Sequence, residues 1–227
     1  SPVINAEPLI KLVIFDLDGT LIDSAPDIVA TTNQLLSSRG RPTLPEKTIV
    51  QAIGEGLRPL ISSCFPEAKN NPAELDAIDR DFYAAYRQNL VVKTTVFPGV
   101  VEFLEKTERQ FAIVTNKYID LTEQTLKTLG LDAHPWVRVY GSDSLPEKKP
   151  HPLPLQEVMK AAGAKPEHTV MVGDGLPDMG AARRAGVQAI ACGYGYCAAE
   201  KLVQAGASHV IQSPFELESA LATLTRR

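Results

Sequence analysis

The sequence predicts an α/β protein: a parallel sheet covered by helices on both faces, with a small all-helical segment inserted after the first strand. Three observations predict it. Short apolar runs recur along the chain, among them Leu12-Val13-Ile14-Phe15 and Phe111-Ala112-Ile113-Val114, and continuous apolar strands belong to sheets buried on both faces. Beyond Phe97-Pro98-Gly99 such runs alternate with helical patterns, the rhythm of a parallel sheet. Residues 23–92 break that rhythm, with helical patterns and no convincing strand.

Residues 12–15 form the first strand, closed by Asp16. Pro26 opens a helix over 26–39, stopped by Gly40 and Pro42. Residues 45–53 and 57–64 read as two further helices on either side of Gly54-Glu55-Gly56. Over 72–90, Leu75, Ile78, Phe82 and Tyr86 recur at three- and four-residue steps, an amphipathic helix. Then come a strand at 111–114, a helix at 119–129 stopped by Gly130, a strand at 137–140 and a helix at 155–162. A strand at 169–172, a helix at 177–185 stopped by Gly186, strands at 187–191 and 208–211 and a helix at 214–224 complete the chain. The division this implies is a Rossmann-like core of residues 1–22 and 93–227 and a helical cap of residues 23–92.

Composition excludes several function classes. The 227 residues suit one large domain or a core with an insert. A formal charge of −4 and the absence of a basic stripe argue against nucleic acid. No polybasic cluster suggests an anionic membrane surface, and no apolar run approaches the ~20 residues of a membrane span. Cys64, Cys192 and Cys197 fit neither C-x-x-C nor a zinc pattern, and the first nine residues lack the regions of a signal peptide. Reduced thiols in a cytoplasmic protein are the expectation. His134, His151, His168 and His209 are scattered without metal-ligand spacing. Gly54-x-Gly56 and Gly193-x-Gly195 read as turns, because neither links a first strand to its helix as a dinucleotide site would. Trp136, Tyr83 and Tyr86 read as packing residues.

Ligands of open α/β sheets bind outside the carboxyl ends of the strands. The residues expected there are Asp16, Asp18, Gly19 and Thr20 after the first strand, Thr115 and Asn116 after the second, and Gly173, Asp174 and Asp178 after the fourth. Lys149 lies in the Pro-rich loop after the third. Asp16 and Asp18, two residues apart in an extended segment, can approach one space. One of two such carboxylates can attack phosphorus; the other can protonate the leaving oxygen and then deprotonate water. Attack on an anionic phosphate needs neutralising charge. Asp16 and Asp174 can hold Mg²⁺, a hard ion that prefers oxygen, and Lys149 supplies a second, fixed charge. Thr115 and Asn116 can donate to phosphoryl oxygens, and Gly19 permits close backbone approach.

These segments, Asp16-Leu17-Asp18-Gly19-Thr20, Thr115-Asn116, Lys149-Pro150-His151-Pro152 and Gly173-Asp174-Gly175-Leu176-Pro177-Asp178, resemble the motifs of the haloacid dehalogenase superfamily in order and spacing. The resemblance implies Asp16 as nucleophile, Asp18 as acid and base, and Mg²⁺ on Asp16, the Asp18 carbonyl and Asp174. It implies Asp178 as a supporting acid near metal and Lys149, Thr20 among the phosphate-binding residues, and residues 23–92 as the family's cap. Gly175 departs from the pattern, since many relatives carry a small hydroxyl residue there. Within the superfamily, residues 141–152, 53–57 and 193–196 are similar to phosphoglycolate phosphatases. A small phosphorylated metabolite is the expected partner, with 2-phosphoglycolate first and a sugar phosphate such as N-acetylmuramate 6-phosphate, a nucleotide or pyrophosphate as alternatives. A phosphosugar mutase is a rival, although such mutases often replace Thr20. A non-enzymatic binding protein has no need of Asp16, Asp18, Lys149 and Asp174 together. Arg58, beside the Gly54–Gly56 turn, is a candidate for a second anionic group. Monomer and homodimer are both compatible with the sequence.

Overall fold

The computed structural model describes residues 9–224. The chain enters through β1 (Leu12–Phe15), β2 (Ile22–Asp23) and α1 (Ala25–Ser38), then α2 (Glu46–Ala52), a 3₁₀ turn (Ile53–Glu55), α3 (Leu57–Cys64) and α4 (Pro72–Gln88). It continues through β3 (Thr95–Val96), α5 (Val100–Lys106), β4 (Gln110–Val114), α6 (Ile119–Leu129), β5 (Val139–Tyr140) and α7 (Leu153–Ala162). The last elements are β6 (Thr169–Gly173), α8 (Leu176–Ala185), β7 (Gln188–Cys192), α9 (Ala199–Gln204), β8 (His209–Ile211) and α10 (Leu217–Thr223).

Six strands form one sheet in the order β5-β4-β1-β6-β7-β8, every pair parallel. Alternate strand residues feed opposite faces, as the two-residue period of a strand requires. Val13, Phe15, Phe111, Ile113, Val170 and Val172 belong to one buried cluster. Leu12, Ile14, Ala112, Val114 and Met171 belong to the other. This double burial explains why the strands read as continuous apolar runs. Trp136 packs edge-on against Phe15 and Phe111 in the first cluster.

The chain runs from β1 to β4 and β5 on one side, then returns across β1 to β6, β7 and β8 on the other. Strand order thus reverses around β1, and the loops after β1, β4 and β6 open on one crevice. Phe15 stands opposite both Ile113 and Val172, so the three central strands end at nearly one level.

Helices α1–α4 fall between β1 and β4 along the chain and hold a cluster of their own, with Ile49, Leu60, Ile61, Phe65, Ile78 and Phe82 buried. The sequence predicts no strand between 23 and 92. The structure places β2 at its start, paired antiparallel with β3 just beyond its end. Two residues per strand are too few to show a period. Asp27 closes the same junction: its buried carboxylate accepts the backbone N–H groups of Val92, Lys93 and Thr94 and the Thr94 hydroxyl. Leu121 of α6 completes the insert's cluster from below, with Tyr118 and Tyr196 packed against it.

Candidate active site

The loops after β1, β5 and β6 bring three carboxylates and a lysine together. One oxygen each from Asp16, Asp174 and Asp178 lies within 4.8 Å of the others, and all three residues are buried. Lys149 reaches in with an ammonium 3.1 Å from Asp16 Oδ1 and 2.6 Å from Asp178 Oδ1, and donates to the Val114 carbonyl at 2.6 Å. Burial alone would strip the Lys149 charge, but Asp16 and Asp178 hold its pKa above the ordinary value. Three acids against one cation leave an excess of negative charge. Burial, then Asp178, pushes Asp16 well above the usual carboxylate range despite Lys149. The same causes raise Asp174 to about 7.

Such a cluster fits a hard divalent cation, since the donors are all oxygen and the unbalanced charge is what a cation would relieve. Asp174 is held in place by its neighbours. Its Oδ2 accepts the Tyr196 N–H at 2.9 Å and its Oδ1 the Thr20 hydroxyl at 3.1 Å. Glycine is obligatory around it: a Cβ on Gly19, whose φ is +82°, would sit 2.1 Å from Asp174 Oδ2, and one on Gly195 2.2 Å from Asp174 Cβ. The Gly193–Tyr196 turn is therefore a cradle for a carboxylate.

Asp18 lies on the other side of Asp16. Its Oδ1 accepts the Ser24 hydroxyl at 2.6 Å and the Lys117 ammonium at 2.8 Å. Lys117 also donates to Tyr86 OH at 2.8 Å, so a helix of the insert touches the partner of Asp18. Asp16 and Asp18 floor a cleft walled by Thr115–Tyr118 and roofed by insert residues including Ile53, Leu57, Leu60, Phe82 and Tyr86.

The family model for haloacid dehalogenase-like hydrolases matches residues 13–192, which span all of these loops except Tyr194 and its neighbours. The chain belongs to the haloacid dehalogenase-like hydrolases. It is 37% identical over 214 residues to the phosphoglycolate phosphatase of Chromobacterium violaceum, covering 92% of this chain and 95% of that one. It is 38% identical over 199 residues to phosphoglycolate phosphatase 1 of Pseudomonas aeruginosa, covering 84% and 72%. Among solved structures, a predicted phosphoglycolate phosphatase from Haemophilus somnus superposes with a TM-score of 0.85 at 29% identity, over 93% of this chain and 98% of that one.

Several expected residues also make contacts within the site. Thr20, expected at the phosphate, donates its hydroxyl to Asp174. Asn116, expected to do the same with its amide, donates to the Lys149 carbonyl at 2.9 Å and so braces the lysine loop; its Oδ1 is buried without a partner. Thr115 accepts the Lys117 N–H, which leaves its hydroxyl hydrogen for a ligand. Asp178 accepts the Gly175 N–H at 3.0 Å. A Cβ at Gly175 would meet nothing closer than 3.4 Å, so the backbone there has room for the small side chain that many relatives carry.

Arg58 is not brought to the cleft. Its guanidinium pairs with Asp76 at 2.8 Å and Asp79 at 3.1 Å, and its side chain stays 43% exposed. Tyr118 holds Asp79 from below at 3.0 Å. Sequence reasoning passed over Lys117 and read Tyr86 as a packing residue, which it is, without its hydroxyl's bond to Lys117. The one available signal was a lysine directly after Thr115-Asn116, in a loop expected to face the crevice.

Proposed function

We propose that this hydrolase is a Mg²⁺-dependent phosphomonoesterase that cleaves 2-phosphoglycolate to glycolate and phosphate through an aspartyl phosphate on Asp16. The observation that carries the reading is the buried cluster of Asp16, Asp174, Asp178 and Lys149 beside a cleft floored by Asp16 and Asp18. The relatives named phosphoglycolate phosphatase support the choice of substrate.

Mg²⁺ held by Asp16, Asp174 and the Asp18 carbonyl, with Asp178 beside them, would neutralise charge on the phosphoryl oxygens. Lys149 adds a fixed positive charge next to the Asp16 carboxylate. One Asp16 oxygen attacks phosphorus and the bond to the glycolate oxygen breaks. Asp18 gives its proton to that oxygen. Asp18, now a carboxylate, takes a proton from water. The water oxygen attacks phosphorus, the Asp16–phosphorus bond breaks, and phosphate leaves. The residues that close the cleft from the insert exclude bulk water during the first step. Residues 23–92 thus act as a cap on a core of 1–22 and 93–227.

No helix among the described residues is long and apolar enough to cross a membrane. Cys64, Cys192 and Cys197 are free thiols, which fits a reducing compartment, so a cytoplasmic location is part of the same proposal. The test is a panel of phosphorylated metabolites ranked by kcat/KM with and without Mg²⁺. 2-Phosphoglycolate should lead and activity should vanish without the metal. A sugar phosphate, nucleotide or pyrophosphate ahead by tenfold or more overturns the substrate.

A further inference from the structure

The cleft over Asp16 and Asp18 has an unequal lining. Its roof is apolar, with Ile53, Leu57, Leu60 and Phe82. Among the described residues Lys117 is the one cationic side chain that lines it; the exposed Lys148 ammonium lies outside, near Gly56. Arg58 is turned away to Asp76 and Asp79. Lys149 sits beneath the floor, spent on Asp16, Asp178 and the Val114 carbonyl.

Lys117 is 8% exposed, and a buried ammonium is retained only where it has partners. Two of its three hydrogens go to Asp18 Oδ1 and Tyr86 OH, each at 2.8 Å. One hydrogen is left for a ligand. Asp18 also fixes where a ligand would stand. If Asp18 protonates the leaving oxygen, that oxygen lies within hydrogen-bond reach of the Asp18 carboxyl. Whatever is bonded to it then lies within reach of Lys117. In 2-phosphoglycolate a single methylene separates the ester oxygen from the carboxylate, so the carboxylate falls beside the ammonium. An uncharged leaving group would offer the remaining hydrogen no opposite charge in a chamber roofed by apolar side chains.

We infer that Lys117 is the specificity residue of this cleft, receiving through its ammonium an acid carried on the leaving side of the phosphate ester. The inference rests on the phosphatase reading above and adds the residue that selects the substrate. Tyr86 makes the selection depend on the insert. Its hydroxyl holds Lys117 from α4, and burial raises its own pKa to about 12, so it stays a neutral phenol across the working range. The insert therefore shares with Asp18 in aiming the ammonium.

The test compares kcat/KM for 2-phosphoglycolate with that for its neutral amide, phosphoglycolamide, in the wild type and in Lys117→Met. Loss of the Asp18 partner lowers both rates, so the ratio isolates recognition. The wild type should prefer the acid, and Lys117→Met should shrink that preference roughly 10- to 100-fold, the scale of a hydrogen bond to a charged group. Arg58→Ala should leave the preference as it was. Should Lys117→Met fail to fold, Lys117→Gln keeps a donor for Asp18, removes the charge and should show the same collapse. A wild-type preference that survives in a folded Lys117 variant overturns the inference and leaves the substrate reading intact. A wild type indifferent to the carboxylate overturns both.

Discussion

Lys149 is the residue whose removal tests the electrostatics of the site most sharply. Its ammonium is 2% exposed and lies between Asp16 and Asp178 at 3.1 and 2.6 Å. Lys149→Met keeps most of the apolar stem, one atom shorter, and removes the charge together with the donors to Asp16, Asp178 and the Val114 carbonyl. The carboxylates are then left buried beside Asp174 with no cation. Breaking a buried pair from one side costs about 3–5 kcal/mol. For a chain of this size each kcal/mol is roughly 2–4 °C, so the metal-free variant should melt roughly 6–20 °C lower. The drop should be larger at pH 8 than at pH 6, because at lower pH a proton on one acid relieves the repulsion. With saturating Mg²⁺ part of the stability returns. Turnover does not, because Lys149 and the metal occupy different places; a loss of about 10²–10³ in kcat is expected. Thermal melts with chelator or Mg²⁺, alongside kcat, read both effects. A metal-free melting point within ~2 °C of wild type and kcat within tenfold would show that Lys149 does not carry the charge balance of the cluster.

Two further predictions bear on the same cluster. Asp18→Asn should lose roughly 10²–10⁴ in phosphorylation rate for alkyl phosphates and far less for p-nitrophenyl phosphate, whose leaving group needs no proton. Equal losses for both argue against an acid role. Asp174 in the metal-free fold sits at about 7 against an ordinary 3.8. The folded state therefore keeps a proton that the unfolded chain releases, and stability falls as pH rises through that window. Mg²⁺ removes the need for the proton, so its addition should raise the melting point more at about pH 8 than at about pH 5. Equal gains at both would contradict the cluster as the metal site.

The strands that carry the site were legible because their burial is two-sided. Residues 111–114 and 170–172 are apolar runs for that reason, and the structure differs from the strands expected at 111–114 and 169–172 only by a residue at an end. The six-residue α9 and the seven-residue α5 have no counterpart in the sequence reading, although α2 and α10, also seven residues long, do. Residues 137–140 shorten to Val139–Tyr140, because this strand pairs only with β4 and lies at the sheet edge.

Side-chain direction was harder to read than position. The Gly54–Gly56 turn does reach the cleft, yet Arg58, two residues on, faces outward. Its destination was set by Asp76 and Asp79 on α4, about twenty residues away in sequence. Lys117 depends on Asp18, 99 residues distant, and on Tyr86, 31 residues distant. No local pattern encodes partners at that separation. Thr20 and Asn116 stood in the right loops, but only the packed structure shows that each supports another member of the site.

The central claim is that Asp16 carries the phosphoryl group. The direct measurement is rapid acid quench of Asp18→Asn with p-nitrophenyl phosphate, followed by peptide mass analysis. Asp18→Asn slows the second step by removing the base, so the intermediate should accumulate. The account predicts a burst of p-nitrophenolate approaching one per active site and a phosphate adduct on the peptide that holds Asp16, sited on that residue. A second variant carrying Asp16→Asn as well should show neither. A burst with the phosphate on another side chain, or turnover with no phosphorylated protein at any time, contradicts the account.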